Sequence, residues 1–461
     1  MDFEAFCRLW KGKRVAIVGF AVENQPTADL FLKAGANVTV YDRKPETEFL
    51  TDTVGAFRER GAAFVFGNDV PDGSFDLLVR SPGLSQHGPT MAWAKKSGTP
   101  VTSAPAIFFD LCPAPIIGVT GTKGKGTTSS LIAAMLKEDG ESVFLGGNIG
   151  TPMLSFVDRV TPLDVVVLEL SSFQLMDLEK SPHIAVVLMT TVEHLDVHAD
   201  EAEYVAAKAN IASHQSGEDF VIFNADYPNS RAIAERSHGK KIEVSNRHAV
   251  AHGCFVEGEA IVWRDDEGDE TIASVTDVRL PGRHNLENVC AAVGAAKVFG
   301  VSLEAIALAI RSFAGLEHRL ELVREVNGVK YYNDSFATTP ESTIAAIRSF
   351  TQPEVLILGG SSKGSDFTEL ARIIVAHPSI RAIVGIGVEW PRIKAAIVSA
   401  GGGATPMIEN LTTMADMVAR ASEAAQPGDV VLLSPACASF GLFKNYKERG
   451  KQFKEAVNAL V

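Results

Sequence analysis

Residues 115–135, PIIGVTGTKGKGTTSSLIAAM, constrain the fold more than any other stretch of the chain. The apolar residues Ile116, Ile117 and Val119 predict a buried strand. It runs into a glycine-rich turn, Gly121-Thr122-Lys123-Gly124-Lys125-Gly126, and Thr127-Thr128 open an amphipathic helix. Strand, glycine loop and helix in that order make a phosphate cradle. Glycines let backbone N–H groups converge on an anion, the helix N-terminus adds partial positive charge, and a lysine reaches the terminal phosphates. The spacing departs from the strict nucleotide-loop pattern: Gly118 falls one residue early, and Gly126 stands where Ser or Thr follows the lysine. An ordinary glycine turn before a helix seldom carries two lysines and two threonines. The expected ligand is therefore a nucleoside triphosphate.

The rest of the chain repeats the alternation of strand and helix. Residues 13–19 (KRVAIVG) predict a buried strand, 26–34 a helix, and 36–41 (ANVTVY) a second strand ending at Asp42-Arg43. That is the opening of a Rossmann-like unit with an acid at the tip of its second strand. Its turn reads Gly19-Phe20-Ala21-Val22-Glu23-Asn24, not GxGxxG, which disfavours a dinucleotide. Further strands are predicted at 75–79, leading to Ser81-Pro82-Gly83, and at 101. Beyond the cradle come strands at 163–170 and 184–190, helices at 201–211 and 288–299, and strands at 330–333, 354–360, 380–387 and 429–433. Residues 218–280 read as short strands and turns, with an acidic surface hairpin at 264–270. The fold class is α/β, with three parallel-sheet units in series, 1–104, 105–314 and 315–461. The first and last are Rossmann-like and the central one resembles a P-loop ATPase sheet.

At 461 residues, 46% hydrophobic and 21% charged, the chain has room for about three soluble domains. It contains no apolar run of membrane-spanning length, and MDFEAFCRLW lacks a signal-peptide pattern. Five scattered cysteines argue for reduced thiols, against a disulfide frame or zinc site. A formal charge of −13 argues against nonspecific nucleic-acid binding. An anionic substrate stays possible if basic residues are focused locally.

Several side chains suit chemistry. Glu169, at the carboxyl end of a parallel strand beside a phosphate loop, suits a magnesium ligand. His194 and His198 have an i, i+4 spacing that zinc could use, but HExxH and a third ligand are lacking. By spacing alone, Lys208 is an ordinary solvated lysine on a helix. Asn285 and Asn288 sit near a helix start, where capping accounts for one of them.

Taken in order, GVTGTKGKGTT, GGNIGTP (146–152), ELSSFQL (169–175), EHLDVH with the later Lys208, GRHNLEN (282–288), GLEHRLE (315–321), NDSFATTP (333–340), GGSSKG and LSPACASFGLFKNYKERG (433–450) resemble the Mur ligases over essentially the whole chain. These are cytoplasmic enzymes that build the peptidoglycan peptide one amino acid at a time, and the likeness is greatest to the glutamate-adding branch. The resemblance implies three working domains: 1–104 for the UDP substrate, 105–314 for ATP and 315–461 for the amino acid. ATP phosphorylates the carboxylate of UDP-N-acetylmuramoyl-L-alanine, and the amino group of glutamate attacks the acyl phosphate.

The resemblance also implies residue roles. Residues Gly121, Thr122, Lys123, Gly124, Lys125, Gly126, Thr127 and Thr128 hold ATP, with Lys125 on its phosphates and Asn285, Arg319 and Asp334 completing the nucleotide site. Glu169 and His194 bind Mg2+, of which two ions are expected, together with Lys208 once carbamylated. Asp42, Arg43, Ser81, Pro82 and Gly83 meet the uridine end, and Asn148 the muramoyl group. Thr338, Lys363, Ser439 and Tyr446 hold the incoming glutamate. A cytoplasmic monomer with small-molecule substrates and no membrane insertion is expected. The sequence departs from the family pattern at Phe336, where a lysine is common, at Gly441, where an acid is frequent, and at Tyr446, where phenylalanine is common. These positions flank the amino-acid pocket. D-glutamate is the usual substrate, and L-glutamate stays open.

Folylpolyglutamate synthases share the GKG loop but lack a separate UDP-binding domain like 1–104. An oxidoreductase is disfavoured by Ala21 and by the phosphate loop in the second domain. A nucleotide-binding regulator differs from a ligase in one observable, ATP consumption that depends on both acceptor substrates.

Overall fold

Short apolar runs bounded by glycine and proline fold into three sheets in the computed structural model, which describes residues 1–148, 150–191, 200–361, 364–377 and 379–461. They belong to two compact units, Met1–Val278 with Leu286–Arg311 and Arg279–Asn285 with Ser312–Val461.

The first unit opens with β1 (Arg14–Val18), β2 (Asn37–Asp42), β3 (Ala63–Phe66), β4 (Leu77–Arg80) and β5 (Val101–Ser103), paired in parallel in the order β3-β2-β1-β4-β5. β4 is buried throughout and β1 everywhere except Arg14, as expected of a parallel sheet covered on both faces. Strand order reverses between β1 and β4, which opens a crevice at their carboxyl ends. The sequence pattern does not announce β3, because its four residues lie at the sheet edge and none is fully buried.

The second sheet of this unit comprises β6 (Ile116–Thr120), β7 (Val143–Gly147), β8 (Val165–Glu169), β9 (Ile184–Val187), β10 (Phe220–Asn224), β11 (Lys240–Ser245), β12 (Gly253–Glu257), β13 (Ala260–Asp265) and β14 (Gly268–Ser274). Their order is β14-β13-β12-β11-β10-β9-β6-β8-β7, and β6 lies between β9 and β8. Pairing is parallel up to β12 and antiparallel from β12 to β14. Gly258-Glu259 and Asp266-Glu267 join those last strands, and connections so short can only turn the chain back. The hairpin expected at 264–270 is the β13–β14 pair, closed by an Arg264–Asp269 ion pair.

The second unit carries β15 (Glu321–Val326), β16 (Val329–Asn333), β17 (Glu354–Gly359), β18 (Ile380–Ile386), β19 (Met407–Ile408) and β20 (Val430–Leu433), in the order β15-β16-β20-β17-β18-β19. Only the β15–β16 pairing is antiparallel among these. Asn327 and Gly328, at φ 51° and 77°, form the two-residue hairpin turn, a strong sequence signal for such a turn. Separate apolar clusters cover the two faces, one around Leu356, Leu358 and Trp390 and one around Val355, Ile357 and Phe453. The helix expected from Asn288 begins earlier and spans His284–Phe299. Among the described residues no helix is long and apolar enough to cross a membrane.

Candidate functional site

The glycine loop leaves the carboxyl end of β6, which is buried over its whole length, and enters the helix Lys125–Glu138. Two of its glycines are required by geometry. Gly121 and Gly124 hold φ of 150° and 88°. A Cβ on Gly121 would lie 2.7 Å from Leu188 Cβ, and one on Gly124 would collide with the Asn288 side-chain oxygen. The loop is braced from two sides. Thr122 donates its N–H to the Met189 carbonyl at 2.7 Å and its hydroxyl to the Thr191 carbonyl at 2.8 Å. From the helix His284–Phe299, the Asn288 side-chain oxygen accepts from the Thr128 hydroxyl at 3.3 Å. Asn288 thus buttresses the loop, a role no local pattern announces.

Two ammonium groups converge on this loop. Lys125 Nζ donates to the carbonyls of Gly121 (3.1 Å) and Thr122 (3.2 Å). Lys208 Nζ donates to the same Gly121 carbonyl at 3.0 Å and to Thr120 Oγ1 at 3.4 Å. Bonds of that length to one oxygen keep the two cations within about 6 Å of each other. Lys208 is only 2% exposed, and its Nζ lies 4.7 Å from the centroid of the Tyr204 ring. The solvated helix lysine that spacing suggests is therefore wrong: its helix, Glu201–Ala209, turns Lys208 inward. Tyr204 itself is within 3.1 Å of Thr122 Oγ1.

Glu169 ends β8 directly beside β6, in register with Val119, and is buried. Asn148 is pinned to it twice, Nδ2 donating to Glu169 Oε1 and the backbone N–H to the Glu169 carbonyl, both at 2.8 Å. Among the described residues no group of three or more His, Cys, Asp or Glu could hold a metal. Magnesium, however, is commonly held by one or two carboxylates with substrate phosphates, so a single buried strand-end carboxylate beside a phosphate loop fits it. His194 and His198 lie outside the described residues, as does Lys363.

At the crevice of the first sheet, Asp42 accepts from the N–H groups of Phe20 (2.7 Å) and Lys44 (2.9 Å). Ser81 donates its N–H to Val18, and a Cβ on Gly19 would lie 2.8 Å from Ser81 Cβ. The turn after β1, the tip of β2 and the Ser81-Pro82-Gly83 loop are thereby brought together, with Arg43 exposed beside them. Arg80, fully buried, was missed. It makes two 2.6 Å bonds to Asp177 and one of 2.9 Å to the Phe173 carbonyl. Its signal was an arginine closing the apolar run FDLLVR. Nearby, Gln174 donates to Glu23 at 2.7 Å, and burial raises the Glu23 carboxyl above its usual range against that bond and the Arg80 charge. The stretch 169–177 therefore runs from the phosphate loop to the crevice of the first sheet.

In the second unit Asp334 and Thr338 stand on the loop after β16 and Ser439 on the loop after β20, while Arg319 precedes β15 and Tyr446 opens the last helix, Tyr446–Asn458. Asp334 is buried, accepting from Ser434 Oγ at 2.8 Å and the Leu320 N–H at 3.2 Å. Burial pushes its carboxyl up to about 7 in spite of those bonds and the nearby Arg319 and Arg449 charges. Arg449, also missed, is fully buried and donates to the Ser335 carbonyl (2.8 Å), Ser335 Oγ (2.9 Å) and the Cys437 carbonyl (3.2 Å). Burial lowers it to about 10. It stitches the NDSFATTP loop to the LSPACAS loop, where buried Ala436 holds φ 60°. Ser335 Oγ also donates to the Tyr446 carbonyl at 2.8 Å. Ser439 is buried and Thr338 half-buried. Asn285 donates its side-chain amide to the Pro281 carbonyl at 2.7 Å, a local bond at the start of its helix.

Residues 119–296 match the Mur ligase middle domain, and residues 318–437 match the Mur ligase glutamate ligase domain. The UDP-N-acetylmuramoylalanine–D-glutamate ligase of Acetivibrio thermocellus is 41% identical over 456 residues, covering 98% of this chain and 97% of its own. That of Symbiobacterium thermophilum is 40% identical over 452 residues, covering 97% and 98%. Among solved structures, MurF from Acinetobacter baumannii superposes with a TM-score of 0.60 at 15% identity, covering 98% of this chain and 92% of that one. The MurF ligase of Thermotoga maritima in complex with ADP gives 0.57 at 16% identity, covering 98% and 96%.

Proposed function

The chain belongs to the Mur ligase family, and from that premise we propose that it joins D-glutamate to UDP-N-acetylmuramoyl-L-alanine with cleavage of ATP to ADP and phosphate. The observation that carries this reading is the glycine loop at the end of β6 with Lys125 at its Gly121 carbonyl, flanked by buried Glu169 and by the buried Lys208 nitrogen at the same carbonyl. It supports a site built to gather anions at the end of β6.

The chemistry sets what that site must do. A free carboxylate is a poor acyl donor, so the alanine carboxylate first takes the γ-phosphoryl group. The glutamate amine then attacks the acyl phosphate, and the tetrahedral adduct expels phosphate. The first step presses anion against anion, which makes positioning and charge neutralisation the main task. Lys125 neutralises the transferring phosphoryl group, and the N–H groups of residues 124–127, at the open end of the helix, hold the remaining phosphates. Magnesium, when bound, supplies further charge neutralisation and alignment. Glu169, His194 and a carbamate on Lys208 would hold it, since carbamylation turns a cation that donates into an oxygen ligand. Asn148 orients the Glu169 carboxylate, and in this reading it also meets the muramoyl group.

Asp42, Arg43 and the Ser81-Pro82-Gly83 loop take the uridine end, at the crevice where strand order reverses. Asn285, Arg319 and Asp334 serve the nucleotide, and Thr338, Lys363, Ser439 and Tyr446 the glutamate. The working domains are 1–104, 105–314 and 315–461, in a cytoplasmic monomer. The test is ADP release with UDP-N-acetylmuramoyl-L-alanine and either glutamate enantiomer. Turnover is expected with D-glutamate and only when both acceptors are present. ADP release indifferent to either acceptor would refute ligation, and equal kcat/KM for L-glutamate would refute the enantiomer.

A further inference from the structure

Arg319 is aimed by its backbone before any side chain touches it. His318 and Leu320, on either side of it, both have positive φ, 67° and 44°, a region costly to residues other than glycine. Three hydrogen bonds hold that conformation. The His318 N–H donates to Glu321 Oε2 at 2.9 Å, the Leu320 N–H to Asp334 Oδ1 at 3.2 Å, and the His318 carbonyl accepts from the Phe336 N–H at 3.0 Å. The loop that carries Arg319 is thus fastened to the loop that carries Phe336.

The Arg319 guanidinium lies over the Phe336 ring, with Cζ 5.1 Å from its centroid. Phe336 is 46% exposed, so core packing does not explain it. Its ring instead meets Tyr446 edge-on at 5.1 Å, and Tyr446 meets His318 edge-on at 6.0 Å. Arg449 anchors the preceding residue through the Ser335 carbonyl and hydroxyl. A half-exposed phenylalanine held this firmly presents one ring face to a cation. The negative face of an aromatic ring attracts a guanidinium, and the planar group stacks on it in a defined orientation.

We propose that Phe336 is a positioning residue for the nucleotide site, its ring holding the Arg319 guanidinium in the orientation in which it meets ATP. The proposal rests on the reading of Arg319 as a nucleotide-binding residue. It assigns Phe336 an indirect role: the ring adds no charge of its own but restricts where an existing charge can go.

Steady-state kinetics on the full chain test it, using Phe336→Leu, Phe336→Trp, Arg319→Ala and the Phe336→Leu/Arg319→Ala pair. A cation–aromatic contact at a half-exposed site corresponds to roughly a two- to fivefold change. Phe336→Leu is expected to raise the KM for ATP by that factor, with kcat and the glutamate KM within twofold of the parent. Phe336→Trp, which keeps a ring face, should restore the parent value. Arg319→Ala should raise the KM for ATP at least tenfold, and Phe336→Leu should add nothing in that background. The proposal alone is overturned if Phe336→Leu is silent, if it acts equally in both backgrounds, or if Phe336→Trp behaves like Phe336→Leu. An unchanged ATP KM in Arg319→Ala overturns the nucleotide reading of Arg319, and the proposal with it.

Discussion

Glu354, the first residue of β17, offers a sharp test of how burial governs this protein's stability. It is 0% exposed, and among the described residues neither carboxylate oxygen has a hydrogen-bond partner. Burial pushes its carboxyl from an ordinary 4.5 up to about 8. Since the folded value lies above the unfolded one, the native state keeps a proton that the unfolded chain has lost. The contribution of Glu354 to stability is therefore full below pH 4.5 and is lost as pH rises toward 8. Across that window nearly one proton separates the two states, a slope of about 1.4 kcal/mol per pH unit, or about 3 kcal/mol between pH 5 and 7. Glu354→Gln has nearly the same shape and cannot titrate. Urea unfolding of both proteins at pH 5, 6, 7 and 8 isolates the effect, because other titrating groups cancel in the difference. The variant should gain on the parent by about 1.4 kcal/mol per pH unit between pH 5 and 7, and by less from pH 7 to 8 as the folded carboxyl itself begins to ionise. Parallel profiles would refute the reasoning, since they would mean that Glu354 ionises as easily folded as unfolded.

Other expectations concern the phosphate loop and its supports. Lys125→Ala should lower kcat by about 10³, the effect of losing one preorganised donor to developing charge, and near-native turnover would remove Lys125 from that role. Lys208→Ala should be nearly inactive and partly rescued by acetate if Lys208 works as a carbamate; rescue by methylamine instead would identify an ammonium. Gly124→Ala must clash with Asn288 and hold φ 88°, so it should lose at least about 1 kcal/mol of stability along with ATP affinity, read by calorimetry. Asp177→Ala leaves fully buried Arg80 without its carboxylate and should cost about 3–5 kcal/mol in urea unfolding, whereas a cost below about 1 kcal/mol would show that Arg80 finds another partner.

Local order in the sequence determined a good deal of this protein. Runs such as Ile116–Thr120 and Val165–Glu169 are apolar without alternation, which only strands buried on both faces tolerate, and they are central strands. The glycine loop was legible because its φ angles and close approaches admit no side chain at Gly121 or Gly124. Glu169 and Asp42 were legible as strand-end acids because a parallel sheet presents such ends together. Tertiary structure decided what depends on partners distant in the chain. Arg80 finds Asp177 across 97 positions and Arg449 finds Ser335 across 114, and neither pairing has a period or spacing to announce it. Lys208 reads as a surface lysine until its helix packs and carries Nζ to a carbonyl 87 positions earlier. Phe336 reads only as a missing cation until the fold sets Arg319 over its ring. Periodicity records which face of an element is buried, because the backbone repeats. It carries no record of which charge meets which, because packing alone brings those side chains within a few ångströms.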